Sequence, residues 1–240
     1  MLLSAAAGNG GNSAVLPASP AGLRVLLLAA DIGRGADVQS TLLGTGAFTA
    51  VDVLDNFYLT PSLSYLQGYS VVLLWTHPVS SFPSASDLGD VLAQYWDSGG
   101  AVVVATGALD SGKLQGRFGT ASNGYMLIDG SVNVQDESLS DSLGTVLEPQ
   151  SPLMTDVSVL SESLDYKSAG AVINGGVVVA RWASSGRPLI VRGSRAGRPL
   201  VALNMYPVSS RYSSYFWNGD GAALMRNALL YSVYEPGGFL

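Results

Sequence analysis

The chain has 240 residues, 48% of them hydrophobic and only 12% charged, with a net charge of −6 and a pI near 4.6. That charged share is about half the usual one, so a large core is affordable and the surface must lean on Ser, Thr, Asn and Gly. The absence of cysteine excludes disulfides, thiolate metal sites and a Cys nucleophile; no apolar run approaches the 18 residues of a membrane span, and the acidic balance argues against a nucleic-acid site. Compartment is left open, because a cysteine-free chain suits the cytoplasm, the cell surface or secretion equally.

In chain order, Met1–Ala7 has the look of a signal-peptide end but lacks length and a basic n-region. Residues 1–21 are therefore expected to be a flexible N-terminal arm, and 22–240 a single α/β domain. Arg24 to Ala30 is an apolar block that reads as a buried strand, closed by a turn over Asp31 to Gly35 and followed by a helix from about Ala36 to Leu43. Phe48 to Leu54 alternates like a second strand, with Asp52 and Asp55 near its exit, and Pro61 to Leu66 suggests a short helix. Tyr69 to Trp75 is a third strand, apolar on both faces. From Ser86 to Trp96 the period changes: Leu88, Val91, Leu92 and Tyr95 form one helical stripe. Ser84 and Ser86 are candidate N-caps, Asp87 suits the positive first turn, and Gly99-Gly100 is the stop. Gly100 to Ala105 is again a buried strand. Strand, helix and strand on short links make a βαβ unit, which requires a parallel sheet.

Beyond Asp110 the pattern breaks down. The stretch of about 110–164 reads as a loop insertion carrying one hairpin, Tyr125–Ile128 with Val132–Val134, around Asp129-Gly130. Val177 to Trp182, Pro188 to Arg192 and Pro199 to Asn204 are short strands on Gly-containing turns, a spacing that requires antiparallel pairing. A closing helix runs from about Asp220 to Tyr234. The predicted architecture is an α/β fold: a doubly wound, mainly parallel sheet of flavodoxin-like type with an antiparallel C-terminal extension.

In such a sheet ligands bind beyond the carboxyl ends of the strands. Those ends carry Asp31, Arg34, His77 and Thr106, the candidate ligand-binding set for a small molecule. His77 is the only histidine, and a lone histidine is more often structural than catalytic. No metal-ligand spacing, phosphate loop or nucleophile elbow occurs, so neither metal nor cofactor is expected. Charge is segregated: residues 1–165 hold 16 acids and 4 bases, whereas 166–219 hold seven bases and no acid. The bases either meet acids of their own chain or form an interface, and Arg187, Arg192, Arg195 and Arg198 are the candidate interface residues.

The run from Leu88 to Val104, a helix leading through Gly99-Gly100 into a strand, resembles the core of class I glutamine amidotransferase-like domains, above all their degenerate ThuA-like branch. Leu114-x-Gly116-Arg117-Phe118, Ser151-Pro152-Leu153-Met154, Gly197 to Pro207 and Gly219-Asp220-Gly221 with Leu224, Asn227 and Ala228 continue the resemblance, in order, over about 22–234. Catalytic members of that superfamily carry a Cys on the turn after the strand matching Gly100–Ala105, with a His and an acid from a later loop. Here the turn is Thr106-Gly107-Ala108 and the loop Met205-Tyr206-Pro207-Val208. The triad missing from the matched positions, the low-charge Ser- and Gly-rich surface and the segregated charge together point to a non-catalytic module of this kind, a structural or protein-interaction subunit of a larger assembly, with self-association as one form of it. The alternative is a domain binding or hydrolysing a sugar or polyol around His77, and a third reading is carbohydrate recognition through Trp75, Trp182 and Trp217.

Overall fold

The computed structural model describes residues 22–31, 33–55, 59–77, 80–131, 140–163 and 166–234. The expected N-terminal arm and the second half of the expected hairpin, 132–134, lie outside the described residues.

Strands β1 (Arg24–Ala30), β3 (Val71–Thr76) and β4 (Ala101–Ala105) are buried throughout except at Arg24. Strands so apolar need cover on both faces, and the period-two alternation divides their side chains accordingly. Val25, Leu27 and Ala29 enter one core together with α1 (Gly35–Gly44) and the long helix Gly221–Val233. Leu26, Leu28 and Ala30 enter the other, built with α2 (Leu63–Leu66), α3 (Ala85–Asp97) and α4 (Gly116–Gly119). The long C-terminal helix is α5. β1 pairs in parallel with β2 (Ala50–Asp55) and β3, and β3 pairs in parallel with β4. The order β-α-β-α-β-α-β up to Ala105 is the one its periodicities predict.

Further strands extend the sheet: β5 (Asp141–Val146), β6 (Leu160–Glu162), β7 (Val177–Trp182), β8 (Pro188–Arg195), β9 (Arg198–Leu203) and β10 (Asn218–Gly219). The result is one mixed ten-stranded sheet in the order β10-β6-β5-β7-β8-β9-β4-β3-β1-β2. β9 is parallel to β4 on one side and antiparallel to β8 on the other, so it reverses the direction of pairing.

Two expectations need correction. The sheet is not mainly parallel: among the described residues five of the nine strand pairings are antiparallel, because β5 and β6 come from the stretch expected to hold only loops and a hairpin. Nor is Tyr125–Ile128 a strand. Ile128 makes a single antiparallel bridge with Val172, and the four side chains are buried in the core beneath α3. Their apolarity reports packing, which a short apolar run shares with a strand.

Candidate functional site at the strand ends

Each parallel strand ends in a polar residue on one edge of the sheet. Asp31, immediately after β1, is 2% exposed, and a carboxylate so buried must be paired. It accepts hydrogen bonds from three side chains: the indole N–H of Trp75 at 3.1 Å, the Arg34 guanidinium at 2.6 Å, and the hydroxyl of Tyr206. Arg34 sits at the N-cap of α1, one turn past Asp31, and its Nη1 also donates to the Tyr206 hydroxyl at 3.4 Å. Its guanidinium lies 5.6 Å from the ring centroid of Tyr212 and 5.8 Å from that of Phe216, within cation–π range. Burial, reinforced by the charge of Asp31, pushes the Tyr206 phenol far above its ordinary value, so it remains a neutral donor.

His77 follows β3 and is half-buried, its ring edge-on to Tyr166 (5.6 Å) and Tyr206 (6.2 Å). Burial lowers its pKa, the Arg34 and Lys113 cations lower it further, and Asp31 opposes them. The imidazole is thus neutral at pH 7. Asp110, on the turn after β4, is pushed up to about 6 by burial, against the pull of Lys113 and Arg187. Lys113 in turn donates to the Ser80 carbonyl at 2.5 Å.

Thr106 stands apart from these groups. Its side chain is fully buried and donates to Asn204 Oδ1 at 3.3 Å. That amide is itself saturated: Oδ1 also accepts from the Ser168 N–H at 2.7 Å, and Nδ2 donates to the carbonyls of Ser168 and Pro188, both at 2.9 Å. The next residue, Gly107, has φ +88°, and a Cβ there would lie 1.8 Å from the Thr76 carbonyl oxygen. The Thr106-Gly107-Ala108 turn is thus pressed against the end of β3.

Of the four sequence-predicted site residues, Asp31 and Arg34 are in direct contact, and His77 lies within their electrostatic reach. Thr106 belongs to a separate internal network. Sequence reasoning missed Tyr166, Tyr206 and Phe216, which arrive from loops about 90 to 185 residues away; their aromatic character was the one available signal. The tryptophan reading is overturned: Trp75, Trp182 and Trp217 are all buried, and their N–H groups are spent on Asp31, the Asn204 carbonyl and the Pro207 carbonyl.

The four candidate interface arginines are engaged within the chain. Arg192 grips Glu148 with two 2.6 Å bonds, and Arg187 donates to the Lys167 carbonyl at 2.9 Å. Arg195 pairs with Asp97 at 3.2 Å and lies 3.8 Å from the Tyr125 ring centroid. Arg198 donates to the carbonyls of Gly100 (2.6 Å) and Trp96, 4.2 Å from the Trp96 ring centroid. For Arg192 and Arg195 the acids that 166–219 lacks are therefore supplied by the earlier part of the chain, whereas Arg187 and Arg198 are engaged by backbone carbonyls.

No family model matches this sequence, and no curated protein matches it. Among solved structures the chain is similar to a protein of Parabacteroides merdae ATCC 43184 designated ThuA-like. The two share 13% sequence identity and a TM-score of 0.59, over 88% of this chain and 90% of that one. At that identity the likeness speaks for fold alone, and the fold is the ThuA-like α/β fold.

Proposed function

We propose that this chain is a non-catalytic, amidotransferase-like module, a degenerate member of a doubly wound flavodoxin-like group, that serves as a structural or protein-interaction subunit. The parallel order β2-β1-β3-β4-β9 supports the flavodoxin-like placement. One observation carries the non-catalytic reading: the residue at the nucleophile turn, Thr106, is sealed from solvent and its hydroxyl is committed to Asn204. A hydroxyl attacks only when an adjacent base takes its proton, and the Asn204 amide oxygen is no such base. The test is a glutamine-hydrolysis assay on the wild type and a Thr106→Ala variant. Neither should release ammonia, and the variant should lose about 1 kcal/mol of stability, the net value of one buried hydrogen bond. Hydrolysis that disappears on substitution would defeat the reading. For the subunit role, the native mass of the full chain should exceed that of a monomer, alone or with a co-purifying protein.

A second reading, a small polar ligand at the strand ends, is favoured by one feature. Arg34 Nε is buried with no acceptor among the described residues, beside the half-exposed His77. A ligand bearing an acceptor would complete that guanidinium. It would raise the melting temperature of the wild type and not that of an Arg34→Ser variant.

A further inference from the structure

The Asp31–Arg34 pair at the strand ends leaves one edge of a guanidinium unspent. Asp31 is almost wholly buried and takes donors from Trp75, Arg34 and Tyr206, so its charge is answered within the chain. Arg34 answers it through Nη1 alone, and the same Nη1 donates to the Tyr206 hydroxyl. Among the described residues no acceptor meets the other edge of the group, Nε and Nη2, and Nε is buried. A guanidinium holds its N–H groups in a rigid planar fork, and the Nε–Nη2 edge offers two parallel donors that match the two oxygens of a carboxylate. A buried donor without an acceptor costs free energy that a matching ligand would recover. The side chain as a whole is 25% exposed, which gives a ligand a way to the group.

The surroundings select among acceptors. The charged groups acting on His77 are Arg34, Lys113 and Asp31, and those acting on Asp110 are Lys113 and Arg187. Three bases against two acids leave a net +1 at pH 7. That balance suits a monoanion, whereas a dianion would face two carboxylates without a second counter-charge. Rings flank the guanidinium: it is in cation–π range of Tyr212 and Phe216. From Tyr166 through Tyr206 and Phe216 to Tyr212 the ring centroids follow one another at 5.3, 5.0 and 6.2 Å. Tyr206 and Phe216 are buried, but Tyr212 is 50% exposed and Tyr166 half-buried, so part of this aromatic surface is open to contact. A flat apolar body beside the fork would lie against it.

We infer that the Nε–Nη2 edge of Arg34 binds the carboxylate of a small aryl carboxylate, a flat monoanion whose ring rests on Tyr212 and Phe216. The inference rests on the strand-end ligand reading above and names its class. It is tested by titrating the full chain with benzoate, its neutral isostere benzamide, and phenyl phosphate. The readouts are calorimetry and the NMR signals of His77, the only imidazole in the chain. Benzoate should bind with a Kd of about 1 mM, within the ligand efficiency of so small a molecule. Benzamide and phenyl phosphate should bind at least about tenfold more weakly, having lost the charge or the match to the site. A bound anion favours the imidazolium, so the His77 pKa should rise in the benzoate complex and affinity should increase as the pH falls from about 7.5 to about 6. Asp110 loses its charge over part of that window and acts in the same direction; the His77 signals separate the two. Arg34→Lys, which keeps the charge and loses the fork, should bind benzoate about tenfold more weakly with its fold intact. Tyr212→Ala, at an exposed ring, should weaken it about fivefold. Benzamide or phenyl phosphate binding as tightly as benzoate would overturn the carboxylate assignment and leave a strand-end ligand in place. Benzoate bound equally well by Arg34→Lys, or bound without moving the His77 signals, would put the anion elsewhere and overturn the inference. If none of the three binds, the inference falls, and the strand-end reading is then decided by whether any ligand stabilises the wild type and not Arg34→Ser.

Discussion

Single polar residues at the strand ends are held by burial and by internal partners, and the two do not always balance. Asp31 is buried and receives three donors, whereas Asp110 is almost as buried and its carboxyl is pushed up to about 6. The sign of the consequence follows from linkage. A carboxyl whose folded-state pKa lies above its unfolded value of about 3.9 binds its proton more tightly in the folded state. It costs stability increasingly as the pH rises from about 4 to about 6, and the cost is constant above that. Asp110→Asn should therefore stabilise the protein at pH 7.5, on the order of 2 kcal/mol by the size of the shift, with the gain vanishing near pH 4. Urea melts of wild type and variant across that range would measure it; a variant less stable at pH 7.5 would show that the charged form of Asp110 is favoured by its surroundings. Asp141 is the opposite case. Burial pulls its pKa upward, but the Ser184 and Ser142 N–H groups and the hydroxyl and N–H of Ser185 together hold it below the usual range, so its contribution is present at neutral pH and lost on acidification.

Among the elements, the βαβ core was legible because its signals are redundant. β3 and β4 are apolar on both faces, α3 carries a clear stripe, and short links leave only a parallel arrangement. β5 and β6 were not legible: in Asp-Ser-Leu-Gly-Thr-Val and Leu-Ser-Glu the buried residues are Asp141, Leu160 and Glu162, two of them acidic, so these strands near the rim of the sheet lack an apolar pattern. The candidate site was half-legible for a related reason. Asp31 and Arg34 lie one turn apart, so local reasoning joins them, but Tyr206 and Tyr166 reach Asp31 and His77 through tertiary structure alone. Packing between elements also explains a glycine with no turn to make. Gly89 lies inside α3, where glycine costs about 1 kcal/mol relative to alanine, yet a Cβ there would fall 1.7 Å from the Gln115 carbonyl oxygen at the start of α4. Gly89→Ala should therefore destabilise the fold by about 2 kcal/mol or more, the overpacking penalty exceeding the propensity gain. A variant of equal or greater stability by chemical denaturation would mean that α3 and α4 do not meet so closely.

At the scale of the whole molecule, the charge segregation along the chain becomes a set of long-range clasps. Arg195 reaches Asp97 at the end of α3, Arg192 reaches Glu148, and Arg211 lies 3.7 Å from Asp37 in α1. Each ties the basic 166–219 segment, which supplies β7 to β9, to the acidic part of the chain. These arginines thus have a sufficient role without any partner molecule. Exposed ion pairs contribute up to about 1 kcal/mol each; Arg192 holds both oxygens of its carboxylate, the stronger geometry, while Arg198 adds two carbonyls and the Trp96 ring. Replacing Arg192, Arg195 and Arg198 together by Ser should then cost about 2 kcal/mol, a fall in melting temperature of about 4–8 °C for a chain of this length. Because exposed charges are screened over about 8 Å at physiological ionic strength, added salt should narrow the gap between variant and wild type without closing it, since Arg198 grips neutral carbonyls. Light scattering alongside the melts decides between the two roles. A variant that melts like the wild type yet changes in native mass would show that the arginines act between molecules and that the clasps within the chain contribute little.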